Sequence, residues 1–592
     1  MIHRATAARR RAGIGLAPGV AWLLVPIAAL LSHASYVANG FTWLDHLDIE
    51  RQAAVVPLSS WTTAFLTRFG DTGFYRPLVT LAHSLDRTLY GDWAAGFHAT
   101  NVLLHAAVAA ASVPFVRCVF GLGPLEATVA GLVVAVHPLS SLPAGAISYR
   151  PELLVSLFTL LVILFHASAR RSGRWTSAAA AGGATLLALL SKETALLYIP
   201  ALIVLWELAY RPATPRGIRL GSGVSPKLRS RWNVPEVAAG VFAAEVVAIA
   251  VWVGLRLHAV PELWHATSEP LPWSEALGTR LAVLGTRLLE LVLPLNPYLS
   301  DAVRVVGVGS LPALLTAGVG LGAILLVLRR GFRSLWSAAV LFTGVALAPA
   351  LNLVPLPRLS SPHYGYFASL GVGVFAVLGL REAAGSPKLA RVLRAGLGVW
   401  LAAAGLSTFA AGPRYHDDVA LFGPEVERDP RFLEGRSYLG DALVAEHRDE
   451  LAAQHYEIAL KGSEGVLAYV DRRSVAINLA GVRLRQQRFT EAEALLAAAA
   501  RDAPPRLRGP IAYDRALVAW KLGDPERVVA LLDAAGADWQ DPEPLLLRVQ
   551  ALRRLGRTAE AVESLRRVMP LVDEPRREAL ERVLRVLTRE GH

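Results

Sequence analysis

The sequence predicts an all-α protein, with a multi-pass transmembrane helical domain of about eleven spans followed by a soluble α-solenoid. Three observations carry this. Hydrophobic residues make up 53% of the 592 positions and the mean hydropathy is +0.40, which is too apolar for an ordinary soluble chain. Apolar runs of about 17–25 residues, enough to cross about 30 Å of hydrocarbon at about 1.5 Å per residue, recur up to residue 412 and then stop. Beyond that point small residues and turn residues return at near-regular intervals, as in a helical repeat. The expected domains are 1–412 in the membrane and 413–592 outside it.

The candidate spans are 17–37, 97–120, 125–145, 151–169, 175–190, 194–210, 236–257, 308–328, 334–354, 364–381 and 392–412. Short cytoplasmic loops accumulate Lys and Arg. Here Arg4, Arg9, Arg10 and Arg11, then Arg170, Arg171 and Arg174, then the group from Arg211 to Arg231, then Arg329, Arg330 and Arg333, then Arg381, Lys388, Arg391 and Arg394 fill alternate loops. The N-terminus is therefore expected inside and the C-terminal domain outside. A twelfth apolar stretch, Arg280 to Tyr298, would reverse the Arg329–Arg333 loop if it crossed, so a membrane-surface or re-entrant helix is expected there. A cleaved signal peptide also fits basic residues before an apolar run. A retained span is preferred because the run is long and lacks a persuasive small-x-small cleavage pattern.

Four segments of the soluble half share residues at fixed offsets. They carry Leu439, Gly440, Ala452, Tyr456 and Ala459; Leu479, Ala480, Ala492, Leu496, Ala499 and Pro504; Ala516, Gly523 and Ala535; and Gly556, Ala561 and Leu565. Spacings of 40, 36 and 33 residues bracket the roughly 34 residues of a tetratricopeptide repeat. Arg576 to Leu587 would form a terminal capping helix. Such an array either binds a peptide or protein in its concave face or only packs on its own membrane domain.

The net charge of +12 divides unevenly: from residue 412 on there are 28 Lys and Arg against 30 Asp and Glu, leaving 32 against 18 before it. The excess is topogenic, and no basic stripe with interleaved aromatics supports nucleic-acid binding. The single cysteine, Cys118, allows no internal disulfide and reads as a packing residue near a span end.

Chemistry-bearing side chains gather in the outer loops. The segment FTWLDHLDIE at 41–50 places Trp43, Asp45, His46, Asp48 and Glu50 just after the first span, and Arg76 follows in FYRPLVTLAHSLD. His98, Asn101 and His105 are spaced i, i+3, i+7 on one helix face, either lining a cavity or bonding between helices. That spacing and the absence of HExxH or a cysteine cluster argue against a metal site. Further outer turns carry His137, Tyr149, Arg150 and Glu152, then Lys192 and Glu193, then Arg358, His363, Tyr364 and Tyr366. Cations at that depth can bind a lipid phosphate through charge-assisted hydrogen bonds, neutralise carboxylates or snorkel to headgroups.

Trp-x-Asp-His after the first span, YRP, FHxxNxxLH, an HP turn leading to RPELL, KE, a Tyr-rich outer turn and C-terminal repeats together resemble the GT-C fold membrane glycosyltransferases that carry tetratricopeptide repeats. The nearest group is the transmembrane and tetratricopeptide-repeat O-mannosyltransferases and their bacterial relatives. The resemblance runs in order along nearly the whole chain. It implies transfer of a sugar, mannose in that branch, from a polyprenyl-phosphate carrier to an extracytoplasmic acceptor such as Ser or Thr of a protein, with no cofactor, nucleotide sugar or metal.

The family's Trp-Asp-Asp-His falls on Trp43, Leu44, Asp45 and His46, so one acid is replaced by leucine. The resemblance makes Asp45 the general base, with His46 beside it, and Arg150, Lys192 and Arg358 the cations for the departing phosphate. Trp43, Asp48, Arg76, His98, Asn101, His137, Glu152, Glu193, His363, Tyr364 and Tyr366 would line the substrate cavity. Pro362 and His363 stand where relatives show Glu-Arg or Asp-Arg before the tyrosine. The composition, rich in Ala, Leu and Arg and poor in Lys, points to a bacterium and hence to its inner membrane with the repeats in the periplasm. The alternative class is a non-catalytic membrane scaffold whose repeats recruit envelope proteins.

Overall fold

The computed structural model describes residues 21–70, 72–209, 235–261, 271–352, 358–536 and 539–590. The basic groups Arg4–Arg11 and Arg211–Arg231, and the first residues of the 17–37 span, lie outside these. The chain divides into two compact units, one of Met1–Glu425 with Gly465–Leu467 and one of Val426–Glu464 with Ala468–His592.

In the first unit the principal helices are α1 (Leu24–Ser32), α2 (Pro77–Tyr90), α3 (Ala94–Phe120), α4 (Pro124–Val136), α5 (Arg150–Ser172), α6 (Trp175–Ser191), α7 (Ala195–Ala209), α8 (Pro235–Ala259), α9 (Trp273–Val292), α10 (Leu311–Arg330), α11 (Leu335–Leu347), α12 (Ser369–Glu382) and α13 (Pro387–Ala411). All but α2 and α9 coincide with an expected span. Among the described residues, six helical stretches, containing α3, α5, α8, α10, α12 and α13, are long and apolar enough to cross a membrane. Helix α4 continues into Pro138–Gly145 after a bend of 51°. Proline is the cause: His137 takes extended backbone (ψ 130°) before Pro138, as steric clash with the proline ring requires. Helices α1, α6, α7 and α11 are shorter apolar elements. The chain is a multi-pass membrane protein.

The core of this unit is apolar and continuous, with Phe115, Phe120, Ile163, Leu189, Trp206 and Phe342 fully or almost fully buried. Small residues let helix backbones meet. A Cβ at Gly182 would lie 2.9 Å from the Ala244 carbonyl oxygen, and one at Gly373 would lie 2.6 Å from that of Ala130, so α6 meets α8 and α12 meets α4 at glycine. Helices α10 and α13 instead turn large apolar residues such as Leu315, Leu328, Val399 and Leu406 outward. In water such faces would aggregate; in a bilayer they meet lipid. Val303–Arg304 pairs antiparallel with Val466–Leu467.

The second unit is a run of helix pairs: Leu433–Ala445 with Asp449–Lys461, Arg472–Arg485 with Phe489–Ala500, Pro505–Lys521 with Pro525–Ala534, and Pro542–Arg554 with Thr558–Val568, closed by Glu574–Glu590. The inferred alanines are the contact points, Ala452, Ala459, Ala492, Ala499 and Ala561 being buried. Each pair turns through one left-handed residue, at His447, Gln487, Gly523 and Gly556 (φ +60°, +59°, +78° and +71°). These residues stand 40, 36 and 33 positions apart, the intervals read from the sequence. The next N–H reaches five residues back each time, Arg448 to Leu443 (2.8 Å), Arg488 to Arg483 (2.8 Å), Asp524 to Ala519 (3.0 Å) and Arg557 to Leu552 (2.9 Å). That is the Schellman ending, which satisfies carbonyls left open at a helix C-terminus. Because a Cβ in the left-handed region costs about 1 kcal/mol, Gly523→Ala and Gly556→Ala should each lower stability by about that much, whereas Gln487→Gly should not. Thermal unfolding of the full chain measures both.

Candidate functional site

The motif at 41–50 begins with strain. Trp43 is buried with φ +58°, a left-handed conformation uncommon for a bulky residue. It is held there from several sides. Its N–H donates to Asp418 Oδ1 (2.7 Å), its ring centroid lies 5.2 Å from that of Tyr149 and 5.6 Å from that of Phe422, and the Arg358 guanidinium sits 5.2 Å from it in a cation–π contact. The next residues enter a single π-helical turn, His46–Glu50, a form often found at functional sites.

Asp45 precedes that turn and is completely buried. Its carboxylate accepts from the N–H groups of Ser148 (Oδ1, 2.7 Å), Thr42 and Ile147 (Oδ2, 3.3 Å each). Burial pushes the Asp45 carboxyl up to about 6 against the pull of those hydrogen bonds. Asp48, three residues on, accepts no backbone N–H among the described residues and keeps 6% of its surface exposed. Its neighbours are the Ser148 hydroxyl, Asp45 and Arg76, and burial, reinforced by Asp45, pushes it up to about 7. His46 lies between Glu50 (Nδ1–Oε2 2.5 Å) and Asp418 (Nε2–Oδ2 3.4 Å). Asp418 first and Glu50 next raise it to about 9, so at neutral pH it is an imidazolium and not a proton acceptor. The histidine thus neutralises the acids around it.

Arg150 is also fully buried, at the start of α5. Its Nη2 donates to Asp86 Oδ2 (2.6 Å) and the Phe97 carbonyl (3.3 Å), and its Nε to Asn101 Oδ1 (2.7 Å). Asn101 in turn donates to the Pro143 carbonyl (3.2 Å), and Thr100 to Asp86 Oδ1 (3.0 Å). Arg150, expected among the phosphate cations, is therefore the hub of a buried network joining α2, α3 and α5. His98 and His137 are likewise occupied, with Nε2 bonded to the Gly40 carbonyl (2.9 Å) and the Leu291 carbonyl (3.1 Å). His105 pairs with the Tyr366 hydroxyl (2.9 Å) and the Ala135 carbonyl (3.2 Å). On the α3 face, His105 and Asn101 bond to neighbouring helical segments and His98 bonds to the loop at Gly40.

The remaining predicted residues converge. Lys192, in the turn after α6, contacts the Glu152 carboxylate, and His363 Nε2 lies 3.4 Å from the same oxygen. Burial lowers the Lys192 ammonium, opposed by Glu152. Glu193 takes Arg76 as a fork (3.0 and 3.2 Å) together with the Tyr75 N–H (3.1 Å). The Tyr149 and His363 ring centroids are 5.1 Å apart, those of His363 and Tyr364 4.3 Å apart, and Tyr364 donates to the Arg358 carbonyl (2.9 Å). Lys192, Arg358, Arg76 and Arg287 all act electrostatically on His363. The arrangement is a set of cations and carboxylates around one imidazole, next to the Asp45–Asp48 acids through Tyr149, Ser148 and Arg76. Sequence reasoning missed Asp86, Asp418 and Arg287. Asp86 lies within the quoted FYRPLVTLAHSLD motif and was the one recoverable signal; Asp418 falls beyond the expected domain boundary, and Arg287 in a stretch judged by its hydropathy.

Fold and site together define a multi-pass, all-α membrane protein with a helical-repeat unit and a charged cluster built from the loops between its apolar helices. No protein-family model matches the chain. Protein O-mannosyl-transferase TMTC2 of Homo sapiens and of Mus musculus is 30% identical over 155 residues, which is 25% of this chain and 18% of the relative. Protein O-mannosyl-transferase TMTC4 of Homo sapiens is 32% identical over 110 residues, 16% of this chain and 15% of the relative. The chain thus matches less than a fifth of the length of these relatives. The resemblance to transmembrane and tetratricopeptide-repeat O-mannosyltransferases holds as homology over that stretch.

Breaking the buried Arg150–Asp86 pair from one side strands a charge, at a cost of about 3–5 kcal/mol. Arg150→Gln should therefore lower the melting temperature strongly, and adding Asp86→Asn should restore part of the loss. A stable Arg150→Gln protein defective only in ligand binding would return Arg150 to the phosphate cations.

Proposed function

We propose that this protein is an inverting glycosyltransferase that moves a sugar, mannose by analogy with its relatives' names, from a polyprenyl-phosphate carrier to a protein hydroxyl. The acceptor would be a Ser or Thr outside the cytoplasm, and the setting a bacterial inner membrane with the N-terminus inside. The helical repeats, taken as tetratricopeptide repeats, would present the acceptor segment. The observation that carries this reading is the Asp45–Asp48 acid pair set beside a cation-rich cluster, in a chain homologous to protein O-mannosyl-transferases.

In the proposed reaction the acceptor oxygen attacks the anomeric carbon and the bond from that carbon to the phosphate oxygen breaks. The electron pair leaves with polyprenyl phosphate, and the hydroxyl proton passes to a carboxylate. The resemblance gives this base role to Asp45. Its three backbone donors favour a division of labour within the pair: Asp45 fixes the Ile147–Tyr149 turn against the first outer loop, and Asp48 offers the oxygen that takes the proton. Asp48 also supplies the second acid missing at Leu44, displaced by one π-helical turn. Lys192, with Arg358 and Arg76, is suited to the negative charge that develops on the phosphate.

Asp48→Asn should reduce transfer at least a hundredfold, within the range of general-base contributions of about 10²–10⁴, without lowering the melting temperature. Asp45→Asn should reduce both transfer and stability. Undiminished sugar transfer to acceptor protein in an Asp45→Asn, Asp48→Asn double variant would remove both acids from the base role, whereas no transfer by the unaltered chain would leave the scaffold reading in its place. Because a base works only when ionised, kcat/KM should rise with pH through about 6–7, where Asp45 and Asp48 lose their protons, and not near the ordinary carboxylate value of about 4. A flat profile between pH 5 and 8 would remove both acids from the base role.

A further inference from the structure

Helix α9 carries a charge that neither its sequence pattern nor the site described above accounts for. One stripe along it, Thr279, Val283, Arg287 and Leu291, is buried at intervals of four residues. The opposite side is apolar and exposed, with Leu277 at 45%, Leu289 at 63% and Val292 at 63%. A surface helix in water would be polar on that side. This one is apolar on both sides and so lies against lipid, with a guanidinium turned inward.

Arg287 is 3% exposed and faces Glu290 on the same helix, Nη1 to Oε2 at 2.8 Å. The contact is an ion pair without hydrogen-bond geometry: Arg287 Nε, Arg287 Nη1 and Glu290 Oε2 are all buried with no hydrogen-bond partner. Buried guanidinium donors are rarely left open, because each orphan forfeits its bonds to water without replacement. Helix α9 packs on the turn Pro362–Gly365, and Arg287 acts electrostatically on both His363 and Tyr364 there. An inward fork with unused donors, facing a cation-rich cluster from a helix whose back is open to hydrocarbon, suits an anion that arrives on a lipid.

We infer that Arg287 binds the phosphate of a lipid monophosphate, completing a headgroup site with Lys192 on the other side of His363. The planar fork gives two parallel hydrogen bonds to phosphate oxygens, and Glu290 acts as the resident counter-charge that the phosphate displaces. This rests on the reading of the protein as acting on a lipid-phosphate sugar, and it adds a phosphate-binding residue from an element outside the recognised motifs.

The test uses the full chain in lipid nanodiscs and measures Kd for a polyprenyl monophosphate, with the neutral polyprenol of equal length and inorganic phosphate as the other arms. The expected result is binding of the monophosphate at least tenfold tighter than the alcohol, with inorganic phosphate competing only weakly. Arg287→Gln should weaken monophosphate binding at least tenfold, and Arg287→Lys should fall between. Glu290→Gln should tighten it severalfold by freeing the fork. An unchanged Kd in Arg287→Gln overturns the inference, and equal affinity for inorganic phosphate overturns the lipid as the source. If Arg287→Gln does not fold, Glu290→Gln decides: unchanged or weaker binding overturns the proposal. Arg287-dependent binding by a protein that transfers no sugar would reject the proposed reaction alone. Normal transfer with Arg287-independent binding would reject this inference alone.

Discussion

Asp45 accepts N–H groups from Ile147 and Ser148, about a hundred residues further along the chain. That interaction fixes the loop at 41–50 against the turn that opens α5, and the acids and aromatics of the site come from those two segments. Trp43 and His46 are aimed from one of them, and Tyr149, Arg150 and Glu152 from the other. Within the same loop Trp43 is held in its left-handed conformation by Asp418, Tyr149, Phe422 and Arg358, and the π-helical turn His46–Glu50 follows Asp45 directly. A neighbouring network does the same for the helices, as Arg150 ties Asp86 on α2 to Asn101 and Phe97 on α3.

The same requirement separates framework from reactive groups. A polar group withdrawn from water must find a partner, so most buried polar residues here are bonded to backbone carbonyls or to each other. His98, His105, His137, Asn101 and Arg150 form the framework by that criterion. Asp48 and Arg287 differ in degree: Asp48 keeps its carboxylate clear of backbone donors among the described residues, and Arg287 leaves two guanidinium nitrogens open, whereas Arg150 leaves only Nη1 open while making three hydrogen bonds and His98 leaves only Nδ1. Lys192 and Glu152 lie between these cases, paired yet grouped with other charges around His363.

The helices were legible in the sequence because hydropathy is local: a span needs a run of apolar residues, and α1, α3 to α8 and α10 to α13 fall where those runs are. The repeats were legible for a related reason. Each left-handed turn residue recurs at a spacing set by the length of two helices and their connections, so the intervals between small residues, Gly523 and Gly556 among them, marked the pairs in advance. Partner choice was not legible. Nothing local distinguishes Arg150, bonded to Asp86 64 residues away, from Lys192, and nothing in the apolar stretch around α9 shows that Arg287 faces inward. The motif carried by resemblance was informative about place and less so about role, because a change from Asp to Leu at position 44 alters which neighbouring acid is accessible.

Leu44 is the departure on which the chemistry turns. Residues four apart in a helical turn lie on nearly the same face, and the Asp48 N–H bonds to the Leu44 carbonyl (2.9 Å), so the acid at 48 stands one turn along from position 44. Here Asp45 lies just outside a π-helical turn, whose extra residue rotates the following side chains relative to those before it. Asp48 lies by the Ser148 hydroxyl and near Asp45, whose charge opposes its ionisation. Burial is the larger cause of its raised proton affinity, and Asp45 adds to it. Two acids, one fixed by backbone and one not, give a carboxylate whose proton affinity lies near neutrality, as a general base requires. The loss of the acid at 44 is in this way compatible with an intact pair, Asp48 standing one turn along from position 44 and Asp45 fixed by Ile147 and Ser148.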